Sequence, residues 1–114
     1  MKRGEIWQVN LDPTIGAEIQ KSRPAIIVNR DTLAKLPLRI IVPLTAWDDR
    51  FSAAPWHIPI EVSEENRLTK KSSADTFQVR SVSDKRLVKK LGEITPEEMA
   101  QVEKGLSISL ALED

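Results

Sequence analysis

The sequence predicts an α+β fold, mostly β, in which short strands curl into a small barrel and one helix follows them. Three observations predict it. Short β-branched or alternating stretches recur between residues 6 and 82, a strong helix start stands at Thr95, and no β-α-β repetition separates them. At 114 residues, the sequence fits a single domain over 1–114 with one modest core. No repeat, low-complexity tract or linker divides it.

The elements follow in order. Residues 6–11 alternate, with Trp7, Val9 and Leu11 on one face, as in a half-buried strand. Asp12-Pro13-Thr14 stops that strand, and a polar loop containing Gly16 runs to Pro24. Residues 25–29 and 38–44 are continuous β-branched runs, suited to central or barrel strands. Residues 57–62 alternate again. Pro59 cannot donate a ladder hydrogen bond, which places that strand at an edge or a bulge. Residues 76–82 read as the last strand, and 83–87 as a short helical turn. Thr95-Pro96-Glu97-Glu98 then supplies an N-cap, a first-turn proline and a capping box. Met99, Val102, Leu106 and Leu110 follow on one helical face. Gly105 weakens the helix by roughly 1 kcal/mol against Ala, which points to close packing there.

Composition narrows the chemistry. With no cysteine, disulfides, thiolate nucleophiles and cysteine-based zinc sites are excluded. His57 is the single histidine, and no Asp/Glu cluster has ligand-like spacing, so no metal or other cofactor is expected. The start Met1-Lys2-Arg3-Gly4-Glu5 has no apolar run behind it, and no apolar stretch is long enough for a bilayer. A cytoplasmic protein without a membrane partner is the expectation. Basic and acidic residues balance at 17 each, which argues against coating nucleic acid by bulk charge. Residues 1–57 carry eight Lys/Arg and six Asp/Glu, and 58–114 carry nine and eleven. Any basic surface must therefore come from the fold.

Three segments hold polar residues that a purely structural β-protein would not need. The loop Gly16-Ala17-Glu18-Ile19-Gln20-Lys21-Ser22-Arg23-Pro24 enters a buried strand, so Pro24 fixes Arg23 beside rigid backbone. Thr45-Ala46-Trp47 stands at the exit of the strand 38–44. The stretch 75–80 places Gln78 and Arg80 on one strand face, with Asp75 at its start. Each also has a plain reading as a surface ion-pair residue, a cap or a solvated face, and the residues alone leave both open. His57, between Trp56 and Ile58, reads as packing or surface, and one histidine rules out a two-histidine ribonuclease mechanism. Of the tryptophans, Trp47 is the one expected to be exposed for base stacking, since Trp7 is core-patterned. Lys70-Lys71 and Lys89-Lys90 read as solvated pairs, with phosphate contact as the alternative.

Several motifs together resemble the MazF/PemK toxin family. They are Arg3-Gly4-Glu5-Ile6-Trp7, then Leu11-Asp12-Pro13-Thr14-Ile15-Gly16-Ala17-Glu18, then Ser22-Arg23-Pro24-Ala25-Ile26-Ile27-Val28. Val42-Pro43-Leu44-Thr45 and Phe77-Gln78-Val79-Arg80-Ser81-Val82 resemble its later motifs, so the similarity covers essentially the whole chain. The resemblance implies an SH3-like barrel with a C-terminal helix, assembled as a homodimer. It also implies a toxin that cleaves single-stranded RNA at short sequences without metal, restrained by an acidic antitoxin segment that orders on binding. In the family the reactive pair matches Arg23 and Thr45, a loop acid matches Glu18, and Gln78 and Arg80 match groove positions. Gly16, Ala17, Gln20, Lys21, Ser22, Trp47 and Asp75 complete the expected substrate contacts. Two departures stand out, the first being Phe77 in place of the acid that many relatives carry just before the Gln. Ala17, Asp75 and Phe77 occupy positions where the family's plasmid branch uses His and an Arg/Asp pair, so that branch's chemistry is absent.

Cleavage without metal requires the 2′-OH to attack the neighbouring phosphorus, giving a 2′,3′-cyclic phosphate and a 5′-OH. Arg23 suits charge stabilisation, because guanidinium binds phosphate oxygens bidentately and its pKa lies above about 12. Thr45 can hydrogen-bond a phosphoryl oxygen, and Glu18 is the candidate acceptor of the 2′-OH proton. Near-neutral net charge fits selection by base contacts. Two rivals differ in class. A gyrase poison of the CcdB type acts through a terminal Trp-Gly-Ile, where this sequence reads Leu112-Glu113-Asp114, and a non-catalytic barrel module would not need both Arg23 and Thr45.

Overall fold

Strands this short with apolar residues on both faces need a core on each side of the sheet, and the chain builds two. The structure is a computed structural model describing residues 1–112. Seven antiparallel strands form it: β1 (Glu5–Asn10), β2 (Ser22–Ile27), β3 (Leu38–Ala46), β4 (His57–Ile60), β5 (Ser72–Asp75), β6 (Arg80–Ser83) and β7 (Leu87–Glu93). The helix α1 (Pro96–Leu110) follows. Strand β7 pairs with β1, β1 with β2, β2 with β3, and the first half of β3 with β6. The second half of β3 pairs instead with β5, which carries β4 on its far side. The result is an open, barrel-like sheet with one strand shared between its two parts.

Val9, Leu11, Ala25, Ile27, Ile41 and Val82 pack inside the curl. Ile6, Ile26, Val42, Ile58, Ile60 and Val102 fill the second core, beneath α1 and the small β4–β5 sheet. Alternation along β2 explains the division: Ile26 enters one core while Ala25 and Ile27 enter the other. Neither cluster alone would bury all the apolar side chains of β1, β2 and β3.

Several expectations hold in detail. Thr95 Oγ1 accepts the Glu98 N–H at 3.1 Å, and the Glu98 carboxylate accepts the Thr95 N–H at 2.9 Å, closing the capping box. A Cβ at Gly105 would stand 2.8 Å from Thr76 Cγ2 and 3.0 Å from Ile58 Cγ1, so α1 does approach the sheet closely there. Pro59 lies on the edge strand β4. The helical turn after Ser83 is a 3-10 turn at Asp84–Arg86.

Other expectations need correction. The strand expected at 76–82 is broken. Asp75 ends β5 and its carboxylate accepts the Phe77 N–H at 3.2 Å, capping a 3-10 turn at Thr76–Gln78 before β6 begins. Gln78 and Arg80 therefore do not share one strand face. Strand β5 escaped notice because Ser72, Ser73 and Asp75 are polar yet buried, and β7 because Lys89-Lys90 masks its period. Leu110 is 52% exposed, as the last turn of α1 runs past the core. No helix among the described residues is long and apolar enough to cross a membrane.

Between β4 and β5 the chain is pinned by one buried side chain. The Asn66 carboxamide oxygen accepts the N–H groups of Ser63 (3.1 Å) and Leu68 (3.0 Å), and its Nδ2 donates to the Glu61 carbonyl at 2.8 Å. The loop also lies directly against β7. A Cβ at Gly92 would meet the Glu65 carbonyl oxygen at 2.4 Å, so glycine permits the approach.

Candidate functional site: two clefts flanking strand β3

In the β2–β3 ladder the last paired residues are Ala25 and Pro43, and Arg23 and Thr45 lie two residues beyond them on the two strands. Both are half-buried. They line one cleft of about 270 Å³ together with Gln8, Arg67, Lys70 and Leu91. Arg23, Arg67 and Lys70 are cations, and among the described residues no carboxylate lines this cleft. Arg23 is oriented by its own loop, its Nε donating to the Gln20 carbonyl at 3.3 Å. Gln8 reaches across from β1 to donate to Ser22 Oγ at 2.9 Å. Pro24, sitting between Arg23 and the buried Ala25, fixes φ and gives no N–H, yet still occupies a ladder position opposite Gln8. The chemistry of such a cleft is anion binding, with a hydroxyl beside a guanidinium.

A second cleft, of about 440 Å³, lies around Pro43 of the same strand and is lined by Ala17, Glu18, Phe77, Gln78 and Arg80. Gln78 shapes it. Its carboxamide oxygen accepts the Ile19 N–H at 2.6 Å and its Nε2 donates to the Ala17 carbonyl at 3.3 Å. Glu18 turns back on its loop, accepting the Ile15 N–H at 2.7 Å. Arg80 Nη1 donates to the Leu11 carbonyl at 3.3 Å. Polar groups thus surround an apolar floor in this cleft, while the first one is dominated by positive charge.

The structure brings Arg23 and Thr45 together as expected and places Glu18 with Gln78 and Arg80 in the neighbouring cleft. Gly16, Gln20, Lys21 and Ser22 lie exposed along the loop that leads into β2. Gly16 and Lys21 both take left-handed backbone, at φ 60° and 69°, and the Asp12 carboxylate accepts the Lys21 N–H at 3.0 Å. Trp47 and Asp75 line neither cleft. Trp47 is half-covered rather than exposed: Phe51 meets it edge-on at 5.7 Å and Lys71 Nζ lies 4.7 Å from its ring. Trp56, 36% exposed, is the more open tryptophan. Asp75 is buried opposite His57. His57 stacks on Phe51 at 3.8 Å and its Nδ1 lies 2.8 Å from Ser73 Oγ, in keeping with packing.

Gln8, Arg67 and Thr69 carry no sequence signal as cleft residues, and Lys70 reads as a solvated residue with phosphate contact as the alternative. Gln8 is on the polar face of a core-patterned strand, and the 61–69 loop gives no periodic signal. Among the described residues, no three His, Asp or Glu side chains form a group able to hold a metal ion.

Comparison with known proteins adds to this geometry. A family model described as PemK-like, MazF-like toxin of type II toxin-antitoxin system matches residues 2–110. Endoribonuclease MazF9 of Mycobacterium tuberculosis is 31% identical over 116 residues, covering 98% of each protein. Among solved structures, MazF from Deinococcus radiodurans superposes with a TM-score of 0.79 at 19% identity, over 97% of this chain and 96% of that one. A mycobacterial endoribonuclease in complex with its cognate antitoxin gives 0.76 at 19% identity, over 100% and 98%.

Proposed function

We propose a function from one premise: the chain belongs to the family of PemK-like, MazF-like toxins of type II toxin-antitoxin systems. It is an endoribonuclease toxin, and an antitoxin is its partner. The finer reading is that it cuts single-stranded RNA at short sequences without metal, as a cytoplasmic homodimer, leaving 2′,3′-cyclic phosphate and 5′-OH ends. One observation carries this. Arg23 and Thr45 share a cleft that, among the described residues, holds three cations and no carboxylate.

The reacting phosphodiester lies against Arg23, whose guanidinium offers two parallel N–H donors to the phosphoryl oxygens as negative charge grows on them. Thr45 donates its hydroxyl to one of those oxygens. The substrate's 2′-oxygen forms the new bond to phosphorus as the bond to the 5′-oxygen breaks, and the leaving 5′-oxygen takes a proton from water. Arg23 stabilises this exchange and cannot act as its base, since a guanidinium stays protonated. Glu18 is the acceptor of the 2′-OH proton. To reach it from the neighbouring cleft, the loop has to release Glu18 from the Ile15 N–H. The RNA then runs from one cleft to the other across β3, with bases on the Gln78 and Arg80 side.

Purified protein incubated with a long RNA, with and without EDTA, tests the reading. Cuts at one short sequence, unchanged by EDTA and absent from DNA of the same sequence, are expected. Intact RNA, or cleavage lost on chelation, would overturn it.

A further inference from the structure

We infer that Arg67, with Lys70 beside it, holds an RNA phosphate flanking the one that is cut, and so sets where the strand lies in the cleft. The inference rests on the ribonuclease reading and deepens it. A single scissile phosphodiester brings one negative charge, which Arg23 alone can meet. Arg67 and Lys70 give that cleft two further cations, and among the described residues no carboxylate lines it to neutralise them. Neither side chain makes an ion pair among the described residues. The space suits a second phosphate: about 270 Å³ compares with about 30 Å³ for a water in the liquid, enough for more than one linkage.

How Arg67 is presented points the same way. Its backbone is left-handed, at φ 57°, a conformation that glycine and asparagine take far more readily than a long side chain. Nothing in the packing of the loop requires an arginine there, since the side chain is exposed. The loop nevertheless holds that conformation firmly. Asn66 next to it is fully buried and bonded to Glu61, Ser63 and Leu68, and Leu68 is anchored in the core. Close contact of Glu65 and Asn66 with Gly92 fixes the loop against β7. A cation on a rigid support beside the reactive pair loses little entropy on binding, which favours a positioning role over a diffuse surface charge.

Kinetics on a single-stranded RNA oligonucleotide containing the cleaved sequence test this with Arg67→Asn, which suits the left-handed backbone, and Arg67→Lys, which keeps the charge. Arg67→Asn is expected to raise KM about tenfold with kcat within about twofold, and to make the log–log salt slope shallower by about 0.7. Arg67→Lys recovers most of the salt slope. A substrate with an uncharged methylphosphonate at the flanking linkage removes the difference between wild type and Arg67→Asn. The proposal is overturned if KM and salt slope do not change, or if the deficit persists whichever linkage is neutral. It is equally overturned if only the affinity for the antitoxin falls. Should wild type leave every RNA uncut, the ribonuclease reading fails by itself. A salt titration of wild-type and Arg67→Asn binding to a single-stranded RNA then still reads the role of Arg67.

Discussion

The carboxamide of Gln78 binds the loop at residues 17–19 from both sides, accepting from Ile19 N–H at 2.6 Å and donating to the Ala17 carbonyl. This one side chain ties the β1–β2 loop to the turn between β5 and β6. Gln78→Ala is expected to speed amide exchange of Ile19 at least about fivefold, since a lost hydrogen bond with a stranded partner is worth about 1–3 kcal/mol. Exchange mass spectrometry of residues 12–21 checks it. Unaltered protection there would show that the loop is held by other means.

Arg23 and Thr45 meet in the cationic cleft. Removing one preorganised donor to a developing oxyanion costs about 10²–10³ in kcat. Arg23→Ala should lose at least that, and Arg23→Lys should recover only part, because an ammonium cannot grip two oxygens in parallel. Thr45→Val should lose less than Arg23→Ala, and Thr45→Ser should restore most of it. Single-turnover rates at saturating RNA separate these effects from binding.

Glu18 has two possible tasks, and Glu18→Gln divides them. Glutamine still offers an oxygen to the Ile15 N–H, so the loop keeps its turn, but it cannot take a proton. A base role predicts a fall of about 10²-fold or more in kcat with little change in thermal stability. A fall of less than twofold would leave Glu18 as a loop residue only.

Much of this was legible in the sequence, and the failures share a cause. Thr95, Pro96 and Glu98 encode their capping box within four residues, whereas the pair Arg23 and Thr45 is implied by the resemblance of their motifs to the toxin family and by no local pattern. Local patterns report local structure. Gln78 reaches a loop some sixty positions earlier in the chain, and Arg67 enters the cleft because Asn66 and Gly92 pack its loop against a distant strand. Buried polar strand β5 has no period at all, since Ser72, Ser73 and Asp75 are satisfied by partners that hydropathy cannot see.

Gly105→Ala should destabilise the fold even though alanine favours helix by about 1 kcal/mol. The new methyl would meet Thr76 Cγ2 at 2.8 Å and Ile58 Cγ1 at 3.0 Å, and overpacking of this kind costs about 1–3 kcal/mol. A net loss of about 1 kcal/mol in urea unfolding is expected. Gly105→Ala combined with Thr76→Ser, which removes the nearest methyl, should recover part of it.

Glu5 supplies an acid-sensitive contribution. Burial by itself would raise its pKa, but the Lys2 N–H, the Trp7 indole, the Lys90 ammonium and the terminal ammonium lower it from 4.5 to about 2. A depressed carboxylate stabilises the fold fully above its unfolded pKa and loses that contribution as pH falls towards the folded value. The window here is therefore between about pH 5 and pH 2, with roughly 3 kcal/mol at stake. Glu5→Gln should flatten the decline of unfolding free energy across that window, which urea titrations at stepped pH would show.

The pairing of β7 with β1 has a consequence in time as well as in space. Gln8 and Leu91 face the same cleft from strands more than eighty residues apart, so its wall is completed only once β7 has met β1. During synthesis the first ninety residues carry Arg23 and Thr45 but not the finished enclosure around them. A chain still being made therefore presents Arg23 and Thr45 on open strands, and the enclosure around them exists only after β7 has docked.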